Sequence, residues 1–374
     1  KSITSPYEKE LIETRRYLHR HPELSFQETD TAAYIRSTLN ALGIPLMKGI
    51  SGTSTVAVIK GEKTGPCIAF RADIDALPIE ETHECAYRSQ NPGVMHACGH
   101  DAHAACLLGG AKILAEHRDA FGGEVRLVFQ PAEEIGQGAK PFIAAGVLDG
   151  AERVFGLHTA HDLRSGTVGL KPGLNNAAVD HFRIEVHGKS THVSTPHLGT
   201  DALYIASQIV VAVQGLVTRM TSPTEPVIIG IGCLNAGTTY NAVAEHAVME
   251  GTTRTVSQES RDRIRRLVSE TADSIAAIYG GTAEIVWTDF AAALINDAEV
   301  CREAAAVADS LLGEGHVVTD RELSLSGDNF AEFELYRPGA YAYLGTGNPD
   351  KPHTVISNHN GGFDVDEDAL VTGA

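Results

Sequence analysis

The chain has 374 residues, which suggests two domains of roughly 100–200 residues each. At 43% hydrophobic and 21% charged it is ordinary globular material, with apolar content for more than one core. Thirty basic against 48 acidic residues leave a net charge of −18, which argues against nucleic acid or an anionic membrane surface as a partner. A small substrate stays open, because a local basic pocket can sit in an acidic protein. No apolar run approaches the roughly 20 residues of a bilayer span. Lys1-Ser2-Ile3-Thr4-Ser5-Pro6 has no apolar h-region, so no signal peptide is expected. The six cysteines, Cys67, Cys85, Cys98, Cys106, Cys233 and Cys301, are scattered without a CxxC pair. A disulfide framework is therefore not expected, and a cytoplasmic location is.

In chain order, Leu11 with Leu18, and then Ile35, Leu39 and Leu42, repeat at helical spacing, and Gly43 and Pro45 stop the second helix. Apolar, β-branched runs at 53–59, 67–71, 124–130 and 153–157 read as strands. Helix-like stretches at 104–116 and 139–145 alternate with them, the pattern of an α/β domain with a mostly parallel sheet. From about Asp180 the order becomes strand (181–186), helix (201–218), two strands (227–233, 246–252), helix (258–279) and strand (282–287). That order predicts an α+β, ferredoxin-like unit. A helix at 298–312 and a strand at 340–344 then resume the α/β texture. The expected fold is thus an α/β/α sandwich over 1–177 and 288–374, interrupted by an inserted α+β domain over 178–287.

Three polar clusters follow three predicted strands: Arg71-Ala72-Asp73-Ile74-Asp75, Pro131-Ala132-Glu133-Glu134, and His158. Ligands bind outside the carboxyl ends of strands in open α/β sheets. Any one of these side chains alone is by default a solvated loop residue. Together with His96-Ala97-Cys98-Gly99-His100-Asp101-Ala102-His103 they predict a metal or catalytic site. A thiolate and an imidazole two residues apart on extended backbone can face one ion. The start of the following helix is expected to favour the thiolate, and Asp101 or His103 to orient a ligating imidazole. Glu133 and Glu134, being neighbours, should point apart, one towards a metal and one accepting a proton from an activated water.

At these residues the sequence resembles the aminoacylase/carboxypeptidase family of dinuclear metallohydrolases, in the branch of hippurate hydrolases, N-acyl-amino-acid deacetylases and auxin-conjugate amidohydrolases. The resemblance runs through Arg71 to Pro78, His96 to His103, Phe129 to Glu134, Gly156-Leu157-His158, Gly251-Thr252-Thr253-Arg254, and His359 with Phe363-Asp364. It implies two divalent ions (Zn, Mn, Co or Ni) held by Cys98, His100, Glu134, His158 and His359, with the Cys98 thiolate bridging. It implies Glu133 as general base towards a water between the ions, and then as acid towards the leaving amine. Asp73 and Asp75 would support the ligands from behind. The inserted domain would be the family's lid, through which a homodimer forms. On it His192 would stabilise the oxyanion, and Asn241 and Arg254 would hold the substrate carboxylate. The implied reaction is hydrolysis of an N-acyl-L-amino acid, with an acetyl, benzoyl or similar acyl group.

The sequence departs from the family around the pocket. It reads His359-Asn360-Gly361-Gly362 where relatives have a Pro after the His, and Asn241-Ala242-Val243-Ala244 where they show Asn-Val-Ile-Pro. It reads Asp328-Asn329-Phe330 for a usual Glu-Asp-Phe, and Thr159-Ala160-His161 after His158. Relatives also continue into a closing helix beyond Asp366-Glu367-Asp368. Two rival readings are a cysteine hydrolase using Cys98 as nucleophile, which leaves the Glu pair and His359 idle, and a catalytically silent homologue that binds amino-acid conjugates.

Overall fold

A computed structural model of the protein describes residues 5–374, so residues 1–4 of the start read above for a signal peptide lie outside the described residues. The chain divides into two compact units. One comprises the chain through Asn175 with Ile295–Glu322 and Asn329–Ala374, the other Asn176–Leu294 with Leu323–Asp328.

In the first unit, α1 (Glu8–Arg20) and α2 (Thr29–Ala41) precede β1 (Thr55–Lys60) and β2 (Lys63–Asp73). Then follow α3 (His100–Glu116), β3 (Gly122–Gln130), α4 (Ala139–Ala144), β4 (Arg153–Arg164), β5 (Val168–Gly169) and β6 (Gly173–Asn176). The second unit contributes β7 (Ala178–His187), α5 (Ala202–Met220), β8 (Ile228–Ala236), β9 (His246–Thr255), α6 (Gln258–Ile278) and β10 (Thr282–Ala291). β11 (Leu294–Asn296), α7 (Ala298–Leu312), β12 (Val317–Val318), α8 (Phe330–Glu334), β13 (Gly339–Gly347) and α9 (Leu370–Gly373) complete the chain. Because β10 runs on to Ala291, the return to the first unit falls after Leu294 rather than at 287/288.

The first unit holds a seven-stranded sheet in the order β1-β3-β2-β4-β13-β5-β12. Its central pairs β3·β2, β2·β4 and β4·β13 are parallel. Antiparallel pairing is confined to β1·β3 and β13·β5. Leu18, Ile35, Leu39, Ile59, Leu127 and Phe129 pack into one core beneath it, each fully buried side chain contributing about 1.5–3 kcal/mol. The second unit is an antiparallel sheet in the order β10-β7-β9-β8, the strand order of a ferredoxin-like fold. Its helices are capped by side chains, Asp201 accepting from the N–H groups of Leu203 and Tyr204, and Ser257 from that of Ser260.

α5 corrects one expectation from the sequence, since by length and hydropathy it could cross a bilayer. Its stripe of Ile205, Ile209, Val213 and Leu216 is buried in the core of its own unit.

α1 carries an unusual buried face. Leu11, Arg15, Leu18 and His19 share one side of the helix, and Arg15 is fully buried. Its Nε donates to Asp101 Oδ2 at 2.7 Å and its Nη2 to Asp364 Oδ1 at 2.6 Å. His19 Nδ1 lies 2.8 Å from Asp101 Oδ2, and the Tyr87 hydroxyl donates to Asp364 at 2.7 Å. Burial alone would raise the Asp364 carboxyl, but the Arg15 guanidinium, with His83 and Tyr87, holds it well below the usual carboxylate range. A carboxyl depressed in the folded state stabilises the fold above its unfolded pKa of about 3.9, and that contribution is lost as pH falls through this value towards the folded one. Arg15→Met should therefore cost about 3–5 kcal/mol at pH 7 by leaving buried carboxylates unpaired. In urea melts its deficit relative to wild type should shrink below about pH 4. A deficit independent of pH would contradict the pairing.

Candidate metal and catalytic site

The carboxyl edge of the parallel sheet gathers the candidate residues. Asp73 ends β2 opposite Gln130, the last residue of β3, and Pro131–Glu134 follow directly. Arg71 is opposite Gly156, so His158, two residues along β4, lies level with Asp73. His158 does not end its strand, as the pattern predicts, because β4 continues to Arg164. Cys98 and His100 do not lie on extended backbone either. Gly99 between them is left-handed at φ 88°, and His100 is the first residue of α3. A Cβ on Gly99 would come within 2.4 Å of Thr159 Oγ1, so both the φ and the packing require glycine here. Two non-glycine residues at the site, Ala132 (φ 53°) and His359 (φ 60°), also adopt the left-handed region. Hydrogen bonds from Ala132 N–H to Glu28 at 2.9 Å and from His359 N–H to the Ala97 carbonyl at 2.8 Å hold them there.

The hydrogen bonds settle which nitrogen each imidazole presents. His100 Nδ1 donates to the Asp75 carbonyl at 2.9 Å, leaving Nε2 as the lone pair. His158 Nδ1 donates to the Thr159 carbonyl at 2.7 Å, and its Nε2 lies 3.4 Å from Cys98 Sγ. His103 uses both nitrogens: Nδ1 donates to Asp73 at 2.5 Å and Nε2 accepts the Thr159 N–H at 2.9 Å. It therefore orients Asp73 rather than a ligating imidazole. Asp101 is turned away, into the pairing with Arg15 and His19.

The Asp75 carboxylate accepts the N–H groups of Glu133 and Glu134, both at 3.1 Å, and the Ser25 hydroxyl at 2.7 Å. With its backbone already capped, Glu134 lies 3.8 Å from His100 Nε2 and 3.4 Å from His359 Nε2. Glu133 accepts the Asn329 N–H at 3.4 Å. The adjacent carboxylates thus have different partners, His100 and His359 for Glu134 and the Asn329 N–H for Glu133.

The donor atoms fall into two groups, Cys98·His100·His158 and Cys98·Glu134·His359, with the ligating atoms of each within 4.8 Å of one another. Cys98 belongs to both, so its sulfur could bridge two ions. Two observations fit a cation. His100 Nε2 and Glu134 Oε1 are buried with no hydrogen-bond partner, a costly arrangement unless something else satisfies them. The protonation tendencies also run against the isolated groups. Burial pushes the Glu134 carboxyl up to about 7. Burial, reinforced by Glu134, pushes the Cys98 thiol up, contrary to the thiolate expected from the helix start. Against its own burial, His100 is raised by Asp73 and Asp75. A divalent cation would reverse all three by replacing the protons. Thiolate, imidazole and carboxylate donors suit borderline transition metals.

The other three predicted residues lie on the second unit. His192 is exposed in the loop after β7, its Nδ1 2.7 Å from Ser194 Oγ. Asn241 is in the loop before β9 and accepts from the Thr239 hydroxyl at 3.2 Å. His192 and Asn241 are neighbours, since His192 bridges to Ala242 and Val193 N–H donates to the Asn241 carbonyl at 3.2 Å. Arg254 sits half-buried on β9 and donates to the Thr253 carbonyl at 3.0 Å.

Sequence reasoning assigned no role to Asn358, Asn329 or the Arg71 side chain. Asn358 Nδ2 donates to Cys98 Sγ at 3.4 Å. Arg71 bonds Asp73 at 2.7 Å, Gln130 at 2.9 Å and Asn329 at 3.0 Å, tying the Glu133 side of the site to β2. The departures at Asp328-Asn329-Phe330 and around His359 were the available signal for the two asparagines.

An α/β unit with a ferredoxin-like insertion and this set of donors has the arrangement of a metal-dependent hydrolase. Residues 69–374 match the model of Peptidase family M20/M25/M40. An N-acetyl-L-cysteine deacetylase of Bacillus subtilis is 41% identical over 98% of this chain and 86% of its own length. Thermostable carboxypeptidase 2 of Saccharolobus solfataricus is 40% identical over 97% of this chain and 92% of its own. A crystal structure described as a dinuclear metal-binding peptidase from the M20 family, from Bacillus subtilis, superposes with a TM-score of 0.83. It is 36% identical, over 98% of this chain and 96% of that one. The chain belongs to Peptidase family M20/M25/M40 and is a hydrolase.

Asp75→Ala should weaken metal binding by roughly 10–100-fold, as loss of an outer-sphere partner does, in competition with a chelator of known affinity. Unchanged metal affinity would show that Asp75 does not govern the donor geometry.

Proposed function

We propose that the protein hydrolyses the amide bond of N-acyl-L-amino acids. The supporting observation is the juxtaposition, in one unit, of the two donor groups sharing Cys98 with the Glu133 carboxylate, which acts on Cys98 and accepts the Asn329 N–H. Cys98, His100, Glu134, His158 and His359 would hold two divalent cations (Zn, Mn, Co or Ni), which when bound make a water acidic and polarise the acyl oxygen. Glu133 takes the proton of the attacking water and delivers it to the departing amine. It suits this work because the Asn329 N–H and the Asp75-capped backbone hold it in place. His192 donates to the developing oxyanion. Arg254 and Asn241 bind the α-carboxylate, the guanidinium offering a planar fork matched to that group. Names of relatives as deacetylase and carboxypeptidase agree on substrates with a free carboxylate next to the scissile amide.

The second unit would also pair two copies of the chain. β8 is bonded to β9 on one side only, and Ile228 and Leu234 on it are exposed, an edge that invites strand addition. A dimer in sedimentation experiments, converted to monomer by Leu234→Lys, is the expected result; a wild-type monomer would refute it.

Glu133→Ala should lose about 10²–10⁴-fold in kcat with its metal content unchanged by elemental analysis. The substrates are a panel of acetyl- and benzoyl-amino acids assayed with metal-reconstituted enzyme. Arg254→Ala should chiefly raise KM for the same substrates and leave amides lacking the carboxylate unaffected. Near-normal turnover by Glu133→Ala, or activity that survives complete chelation, would sink the mechanism.

A further inference from the structure

The open face of the second unit's sheet carries titratable groups that the proposed reaction does not use. Along β7 the side chains alternate, with Phe182, Ile184 and Val186 buried and His181, Arg183, Glu185 and His187 turned outward. On β9, His246 pairs in register with His187, and Glu250 with Arg183. Most of this face is a ladder of cross-strand ion pairs. His181 lies 3.2 Å from Glu250, Arg183 lies 3.7 Å from Glu250, and Arg183 also bonds Glu185 Oε1. Such a ladder needs no ligand to explain it.

One end of the face does not fit that explanation. His187 makes no ion pair or side-chain hydrogen bond among the described residues. It lies against His246, ring centroids 5.3 Å apart and planes at 32°. An imidazole offers a ring nitrogen as a metal donor, and here two stand face to face on adjacent strands. Glu185, two residues before His187 and therefore on the same face, places Oε2 3.2 Å from His246 Nε2. Arg183 occupies only its other oxygen. One ligating atom each from Glu185, His187 and His246 lies within 4.8 Å of the other two. Small side-chain rotations would bring them to the about 2.0–2.2 Å that nitrogen and carboxylate oxygen adopt around zinc.

We propose that Glu185, His187 and His246 form a further divalent-cation site, separate from the five donors of the first unit, that takes Zn²⁺ or a similar borderline ion. Two imidazoles and one carboxylate are the donor chemistry for such ions, and open positions are completed by water.

The site stands at the root of two loops. His187 ends β7, and Gly188–His192 follow it; His246 begins β9, and Asn241–Glu245 precede it. The loops are laced together by Gly188 N–H to the Glu245 carbonyl and Val243 N–H to the Thr191 carbonyl, both 2.8 Å. An ion joining the two strands at this point removes conformational freedom from the segment that presents His192 and Asn241. The importance of that segment for turnover rests on the roles proposed for those two residues. Cation binding itself does not.

The test is calorimetric titration of the metal-loaded, dialysed enzyme with Zn²⁺, alongside His187→Gln and His246→Gln. Hydrogen exchange over residues 188–195 and 241–246 is followed with and without the added ion. Wild type should take up one further equivalent, and exchange in both segments should slow. Each substitution should weaken that uptake by more than the roughly 10–100-fold that follows loss of an outer-sphere partner, while the tightly held metal content stays the same. Absence of a further equivalent in wild type, or equal uptake by the double variant, overturns the site. Uptake without slower exchange overturns its link to the loops. Should either histidine variant fail to fold, Glu185→Gln carries the same expectation. None of these readouts depends on turnover of an N-acyl amino acid, so failure of the proposed activity and failure of this site are seen separately.

Discussion

The candidate site depends on one buried carboxylate. Asp75 stands just beyond β2 and accepts the backbone N–H groups of both Glu133 and Glu134 while its own carbonyl receives the Nδ1 proton of His100. Three segments distant in sequence, after β2, after β3 and at the start of α3, are thereby locked together through a single residue. Its carboxyl is depressed below the usual range despite burial, through the hydrogen bond and charge of His100 and the hydroxyl of Ser25. The consequence is chemical as well as structural. The tautomer of His100 is imposed, its Nε2 faces the donors around Cys98, and the two glutamates share one backbone anchor while meeting different partners. A carboxylate holding three donors in a dry setting is a rigid support of the kind that metal ligands require.

A second layer of buried charge supports the first. Arg15 joins Asp101, on the residue after His100, to Asp364, five residues after His359. The guanidinium thus ties α1, the start of α3 and the C-terminal loop, and two of these segments deliver candidate ligands. Arg71 plays the same part on the other side, among Asp73, Gln130 and Asn329. Buried ion pairs are poor sources of net stability. Here they bind loops whose backbones, at Ala132 and His359, sit in the left-handed region.

The second unit follows different rules. Its core is formed from one face of an antiparallel sheet and the apolar stripes of α5 and α6, so the opposite face is free to carry polar groups. Residues proposed to contact substrate lie in loops joined by a few backbone hydrogen bonds, or at one end of β9, rather than in a packed network. Loops of this kind open and close more easily than a core, and the Glu185–His187–His246 cluster sits where both leave the sheet.

Much of the protein was legible before any coordinates. Period-two and period-3.6 patterns, interrupted by Gly and Pro, marked the strands and helices, because half-buried elements must segregate apolar from polar side chains. The order of elements then implied an α/β unit with a ferredoxin-like insertion. Cys98, His100, Glu133, Glu134 and His158 stand out because thiol, imidazole and carboxylate residues rarely gather by chance around predicted strand ends and the start of a helix. Only the tertiary structure decided what each group does. Leu11 and Leu18 mark the helix α1, but the burial of Arg15 beside them and its partners at residues 101 and 364 are features no local pattern encodes. The left-handed turn at Gly99, the engagement of both His103 nitrogens and the raised thiol of Cys98 likewise depend on Thr159 from β4, Asp73 from β2 and Glu134 from the turn after β3. Secondary structure and residue chemistry follow from near neighbours in sequence. Tautomer, charge state and the choice between ligand and support follow from distant neighbours brought together by the fold.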